Sequence, residues 1–293
     1  MKLIDGKEVS SAIKEEIKKE VSEIIDAGKR APHLVAIIVG DDPASHTYVS
    51  NKEKTCQSVG MMSTVYKLPA NITQNDLLDT INFINNDDEV DGLIVQLPLP
   101  KHIDKDVVIN TINPNKDVDG FHPQNVGKMV AGEDTFLPAT PFGILKLLEY
   151  YSIETSGKHC VIVGRSNIVG TPASILLSRK ATPGDCTVTL CHSRTKNIKD
   201  FCLQADIVIA AIGSPKFITA DMVKADAVVI DVGTNRVSSK ETKSGFALIG
   251  DVDFEEVSKK ASYITPVPGG VGPMTIAGLI LNTLKAYKLK IKN

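Results

Sequence analysis

Cys160-Val161-Ile162-Val163-Gly164-Arg165-Ser166-Asn167-Ile168-Val169-Gly170-Thr171-Pro172 is a run of apolar strand residues that leads into a glycine turn and the opening of a helix. Strand, glycine turn and helix start form a dinucleotide-binding unit, because a helix N-terminus offers unpaired N–H groups and a positive dipole end to a pyrophosphate. Glycine lets the backbone approach a ligand. The turn departs from G-x-G-x-x-G: Ser166 and Val169 hold the second and third glycine positions, and Gly170 follows. Arg165, inside the turn, adds a planar cation suited to one more phosphate.

The next strand narrows the cofactor. A unit that holds a bare ribose ends its second strand in Asp or Glu, roughly 20 residues past the glycines. Here Thr187-Val188-Thr189-Leu190 ends in Cys191-His192-Ser193-Arg194, which supplies a hydroxyl and another cation. Arg165 and Arg194 could each be an ordinary surface charge. Standing at the ends of adjacent strands, they favour the 2′-phosphate of NADP. Gly164 and Ser166 are expected at the pyrophosphate, and Arg165, Ser193 and Arg194 around the 2′-phosphate. Gly213 and Thr234, which end the strands Ile207–Ala211 and Val228–Val232, are expected to border the nicotinamide side.

Composition sets the outer limits. The 293 residues suffice for two domains, each with its own core. The chain is 42% hydrophobic and 23% charged, as in ordinary globular proteins. A formal net charge of −2 with no basic arm gives no reason to expect a nucleic-acid partner. No apolar stretch is long enough to span a bilayer, and Met1-Lys2-Leu3-Ile4-Asp5 opens no signal peptide. The five cysteines lack a C-x-x-C pair and read as free, mostly buried thiols of a cytoplasmic protein. The six histidines show no ligand spacing, so no metal site is expected.

Helix and strand patterns alternate along the chain, which argues for an α/β fold with parallel sheets covered by helices. Val9, Ile13, Ile17, Val21 and Ile24 recur at helical spacing up to Gly28. A strand Leu34–Val39 follows, then a helix capped by Asp42 with Pro43 first. Next come a strand near Thr64–Leu68, a helix opened by Thr73 with Asp76 three residues on, and a strand Leu93–Leu97. Two proline-rich joints precede a helix Phe142–Tyr150 and a final helix from Thr275 to about Lys288. The domains are expected at 1–138 and 139–270, the second Rossmann-like. The helix of 271–293 is expected to return to the first domain, with an active site in the cleft between domains.

Several residues could carry chemistry. Ser45, Tyr48 and Lys52 lie at i, i+3 and i+7 of the Asp42-capped helix, on one face. A lone helix lysine is usually a solvated charge, and Tyr48 alone could be a packing residue. Their company argues otherwise. Gln96 ends the apolar run Gly92–Val95, at the strand end where α/β sheets bind ligands, and a glutamine there must find polar partners. Asn113-Pro114-Asn115-Lys116-Asp117-Val118-Asp119-Gly120 is by composition a turn. Pro266-Val267-Pro268-Gly269-Gly270-Val271-Gly272-Pro273 could be a rigid linker, although its glycines suggest backbone brought close to a flat ligand.

Taken in order, Tyr48-Val49-Ser50-Asn51-Lys52, Gln96-Leu97-Pro98-Leu99-Pro100, Asp117-Val118-Asp119-Gly120, Gly164-Arg165-Ser166 and Pro266 to Pro273 span nearly the whole chain. This set resembles the bifunctional methylenetetrahydrofolate dehydrogenase/methenyltetrahydrofolate cyclohydrolase family, including its G-R-S form of the glycine turn. The resemblance implies NADP-dependent oxidation of 5,10-methylenetetrahydrofolate, hydrolysis of the methenyl product to 10-formyltetrahydrofolate, and a homodimer. It places the catalytic lysine at Lys52, the stacking tyrosine at Tyr48, the glutamine at Gln96 and the pterin-binding aspartate at Asp119, with Pro268 and Gly269 also touching the folate. Lys52 can take a proton from water only where burial disfavours its charge, and Gln96 would orient it without adding a negative charge. Two rivals are an NADP-dependent dehydrogenase of a small hydroxy acid and a nucleotide-binding module without turnover. The first leaves Tyr48, Lys52 and the segment after Pro266 unexplained, and Lys52, Gln96 and Asp119 speak against the second. No fused ligase is expected, since the sequence has no G-K-[ST] loop.

Overall fold

A computed structural model describes residues 1–239, 242 and 245–292. The chain forms two compact units, one of Met1–Ser11 with Thr140–Thr275, the other of Ala12–Ala139 with Ile276–Asn293. The first holds six parallel strands in the order Lys2–Leu3, Tyr263–Ile264, Val228–Asp231, Ile207–Ala210, His159–Val163 and Thr187–Cys191. Helix-covered parallel strands are dry on both faces and so read as unbroken apolar runs. Cys160 to Val163 are accordingly at most 2% exposed, as are Ile207 to Ala210. From His159–Val163 the chain steps to one side, Thr187–Cys191, and then crosses to the other, Ile207–Ala210. That reversal opens a ligand crevice at the carboxyl ends of the strands.

In the second unit three parallel strands pair as Met62–Leu68, His33–Val39 and Gly92–Val95. Val35, Ile37, Val39, Leu93 and Val95 pack against Leu77, Ile81, Ile84, Val108 and Ile112. Leu34, Ala36, Ile38 and Ile94 alternate with them and are equally dry, so both faces are covered. Each such aliphatic side chain contributes about 1.5–3 kcal/mol by its burial. Leu93 also bridges to Asp117 in parallel, its N–H donating to the Lys116 carbonyl at 2.7 Å. The Asn113–Gly120 turn is thereby tied to the sheet edge.

Several boundaries differ from those expected. The strand near Gln96 stops at Val95, although the Gln96 N–H still donates to the Ile37 carbonyl at 2.8 Å. The final helix runs Val271–Lys292, starting inside the glycine-rich segment. Pro273 is tolerated there because first-turn N–H groups have no intrahelical partner. Farther along, the Asn282 side-chain amide donates to the carbonyls of Val118 and Leu137, both at 2.8 Å, which fastens this helix within the second unit. The antiparallel ribbon Asn235–Ser238 with Phe246–Ile249 had no sequence signal we recognised. No helix among the described residues is long and apolar enough to cross a membrane.

Candidate active site

The helix that carries Lys52 is set at its start by Asp42, whose carboxylate accepts the Ser45 N–H and hydroxyl, each at 2.8 Å, with Pro43 as the first helical residue. Ser45, Val49, Lys52 and Cys56 form its buried stripe, at spacings of four, three and four. Lys52 therefore stands where an apolar residue would normally be, only 8% exposed. Its Nζ donates to Gln96 Oε1 at 3.1 Å, and Gln96 Nε2 donates to the Leu97 carbonyl at 2.7 Å. Both ends of the glutamine amide are thus engaged. The thiol of Cys56, one turn beyond Lys52, is pushed up to about 12 by desolvation and is chemically inert. Tyr48 lies one turn before Lys52 and is 43% exposed, so its ring faces outward rather than into the core.

Asp119 completes this group. Desolvation holds its carboxyl above the usual range, the Lys52 charge opposes that, and the Asp117 charge adds to it. The influence of Lys52 on Asp119 brings the two within electrostatic reach. An apolar crevice beside Asp119 is lined by Leu97, Val108, Ile109, Ile112 and Phe121.

The two aspartates of the D-V-D-G segment have different tasks. Asp117 is buried and accepts the N–H groups of Phe121 at 3.2 Å and His122 at 2.8 Å, together with Asn125 Nδ2 at 2.8 Å. Asn125 in turn accepts the Thr135 hydroxyl at 2.8 Å. Gly120 follows at φ +72°, where a Cβ would come within 2.6 Å of the Leu137 carbonyl carbon. What composition describes as a loose turn is a fully bonded scaffold that presents Asp119. Sequence reasoning missed Asp117, which composition does not distinguish from a solvated turn residue.

In the other unit the residues expected at the nucleotide follow the carboxyl ends of strands of the six-stranded sheet. Gly164 follows Val163 at φ +123°, and a Cβ on it would lie 2.0 Å from the Ala211 carbonyl oxygen. A Cβ on Gly170, at the helix start, would lie 1.8 Å from the Gly164 oxygen. These two glycines answer to backbone packed on backbone at the switch point. Ser166 Oγ accepts the Val169 N–H at 3.2 Å, closing the turn where the usual motif has glycine. Arg165 and Ser166 are exposed at its rim.

Ser193 and Arg194 sit at the tip of a second closed turn. The Thr195 hydroxyl accepts the His192 N–H at 2.9 Å, the Thr195 N–H returns to the His192 carbonyl at 2.8 Å, and His192 Nδ1 accepts the Arg194 N–H at 3.1 Å. Among the described residues neither Arg165 nor Arg194 pairs with a carboxylate. A glycine cradle that a Cβ would fill, with two uncommitted guanidinium groups beside it, fits a phosphorylated dinucleotide.

Gly213 and Thr234 are exposed past the next two strands, and behind them lie buried carboxylates that sequence reasoning passed over. Asp251 accepts the N–H groups of Ile212, Gly213 and Ser214, and Asp231 those of Gly233, Asp251 and Val252. Asp231 is pushed up to about 6, first by burial, with the Asp251 charge in the same direction and the three N–H groups opposing. Pro268 and Gly269 follow the strand Tyr263–Ile264 of the same sheet. Their loop is closed by the Gly270 N–H donating to the Pro266 carbonyl at 2.8 Å, and Gly269 has φ +110°. The start of the first helix packs on it so closely that a Cβ on Gly6 would lie 1.7 Å from the Gly270 oxygen. The structure thus gathers Lys52, Gln96 and Asp119 in one unit, with Tyr48 on the helix of Lys52, and puts the residues expected at the nucleotide, with Pro268 and Gly269, in the other.

Comparison with known proteins agrees with this architecture. Residues 4–119 match the catalytic domain of tetrahydrofolate dehydrogenase/cyclohydrolase, and residues 138–291 match its NAD(P)-binding domain. The bifunctional protein FolD of Cytophaga hutchinsonii is 59% identical over 99% of this chain and 100% of that one. A crystal structure of the bifunctional FolD methylenetetrahydrofolate dehydrogenase/cyclohydrolase from Campylobacter jejuni superposes with a TM-score of 0.93 at 51% identity, covering 99% of each chain. The Trypanosoma brucei enzyme, solved with NADP cofactor and inhibitor, gives a TM-score of 0.94 at 38% identity over 99% of this chain and 98% of that one. With both domain models matched in order and relatives aligned from end to end, the chain belongs to the tetrahydrofolate dehydrogenase/cyclohydrolase family.

Proposed function

We propose that this protein oxidises 5,10-methylenetetrahydrofolate with NADP and hydrolyses the methenyl product to 10-formyltetrahydrofolate. The observation that carries this reading is a nearly buried lysine whose hydrogen-bond partner is a neutral amide, within electrostatic reach of an aspartate. Tyr48 stacks on the flat pterin. Asp119 accepts pterin N–H groups, and its partial desolvation strengthens each such bond. Positioning accounts for most of the oxidation, since the methylene carbon must be held for hydride departure. Arg165, Ser193 and Arg194 hold the 2′-phosphate, while Gly164 and the helix start at Gly170 receive the pyrophosphate. The nicotinamide, when bound, accepts a hydride.

Oxidation leaves a cationic amidinium carbon. Water adds to that carbon, Lys52 in its neutral form takes the first proton and passes it to the ring nitrogen as its bond to the carbon breaks, and the remaining hydroxyl proton is released to solvent as the formyl C=O forms. Gln96 holds the amine in line.

The test is one spectrophotometric experiment: purified protein with methylenetetrahydrofolate and either NADP or NAD, following formation and decay of the methenyl product. Faster turnover with NADP, followed by decay, supports the reading. Activity with a small hydroxy acid and none with the folate would replace it. Family membership further supports a homodimer, tested by light scattering against twice the 31.5 kDa chain mass. Cytoplasmic residence agrees with five cysteines that are all free and buried.

A further inference from the structure

We propose that Asp251 and Asp231 are positioning residues for the nicotinamide end of NADP, fixing the loops at 212–214 and 233–235 and giving them an electrostatic preference for the oxidised, cationic ring. This rests on the functional reading above. Neither residue can touch a ligand, since Asp251 is 0% and Asp231 3% exposed. Both act through the backbone.

The bonding is convergent. Asp251 Oδ2 accepts the N–H groups of Ile212 at 2.6 Å and Gly213 at 2.9 Å, and Oδ1 accepts Ser214 N–H at 2.9 Å and Asn235 Nδ2 at 2.8 Å. Three consecutive amides and one side chain from the ribbon thus close on one carboxylate. Asp231 holds the segment that carries Asp251: its Oδ1 accepts Gly233 N–H and Asp251 N–H, and its Oδ2 accepts Val252 N–H, each at 2.9 Å. The Thr265 hydroxyl accepts Asp231 N–H at 2.7 Å from the neighbouring strand.

Two glycines show how tightly the pair is interlocked. A Cβ on Gly233 would lie 2.3 Å from Asp251 Oδ1, and one on Gly250 would lie 1.8 Å from Asp231 Oδ2. Each carboxylate rests on the glycine beside the other's chain segment.

This arrangement selects a ligand. The amides of 212–214 point inward to a carboxylate, so the loop offers no N–H nest to a phosphate. Two buried acids behind it make the local potential negative, which is unfavourable for phosphate and favourable for a positively charged ring. The loop at Gly164 has the opposite character, since Arg165 stands exposed at its rim and pairs with no carboxylate among the described residues. The two ends of the dinucleotide are therefore told apart by charge.

Asp251→Asn keeps the shape, removes the charge and turns an NH2 toward donors. Titration with NADP, its reduced form and 2′,5′-ADP, which lacks the nicotinamide, separates the possibilities. Affinity for NADP is expected to fall at least tenfold and that for the reduced form at least threefold less. Affinity for 2′,5′-ADP and hydrolysis of added methenyltetrahydrofolate should stay within twofold. Equal loss for all three nucleotides, or no loss, overturns the proposal. If Asp251→Asn does not fold, Asn235→Ala removes a single donor, with an expected two- to fivefold rise in the KM for NADP and unchanged 2′,5′-ADP binding. Equal weakening of both in that variant also overturns it. A wild-type chain that binds no NADP sinks the functional reading first, and is recognised by its own binding curve.

Discussion

Lys52 Nζ donates to Gln96 Oε1 at 3.1 Å, joining the buried stripe of one helix to the residue just past the end of the strand Gly92–Val95. An amide partner satisfies the amine without fixing its proton there, as a carboxylate would. The position of this pair follows from packing, since Ser45, Val49 and Cys56 anchor the same helix face.

Replacing Lys52 by Met keeps the apolar stem and removes the amine. Hydrolysis of methenyltetrahydrofolate is expected to fall below detection, with NADP affinity unchanged within about twofold because the nucleotide residues lie in the other unit. Steady-state hydrolysis and equilibrium NADP titration check this. Undiminished hydrolysis removes Lys52 from the chemistry.

Gln96→Glu is nearly isosteric but places a charge against the amine. An adjacent carboxylate favours the protonated lysine, so hydrolysis at neutral pH should drop roughly 10- to 1000-fold. Activity should partly return at alkaline pH. A flat pH profile with full activity would show that the neutral partner is irrelevant.

Arg165→Ala separates the cofactors. Loss of one charge-assisted contact to a phosphate costs about 1.5–3 kcal/mol, so NADP should bind roughly 10- to 100-fold more weakly. NAD lacks that phosphate and should change little. If both weaken equally, the guanidinium serves the pyrophosphate or the fold.

Asp231 predicts a pH dependence of stability. Its carboxyl is pushed up from 3.8 to about 6 in the folded protein, chiefly by burial, so the native state binds this proton more tightly than the unfolded chain. Stability from this group is fully present below about pH 4 and is lost as pH rises through about 6, up to roughly 3 kcal/mol. In urea unfolding from pH 4 to 7.5, wild type should lose stability relative to Asp231→Asn by that amount. Parallel curves would place the proton elsewhere.

Much of this was open to reading one residue at a time. The strand–turn–helix at Val163–Gly170, the cap at Asp42-Pro43 and the helical spacing that joins Tyr48 to Lys52 are local, and local sterics and hydrogen bonding dictate them. Gln96 was legible because a polar group at the end of an apolar strand has to be bonded. The organising acids Asp117, Asp231 and Asp251 were not, because an aspartate at a strand end or in a turn has the same composition whether it faces water or collects backbone amides.

From the sequence alone came the α/β class and the cofactor type, since periodicity, turn chemistry and charge act over a few residues, while the roles expected of Lys52, Gln96 and Asp119 came from the family resemblance. Only the tertiary structure decided that Lys2–Leu3 pairs with Tyr263–Ile264, that Leu93 bridges to Asp117, and that Asp231 and Asp251 interlock. Those contacts join residues far apart along the chain. Their partners are chosen by which buried donors and apolar faces still need to be satisfied once the sheets have formed.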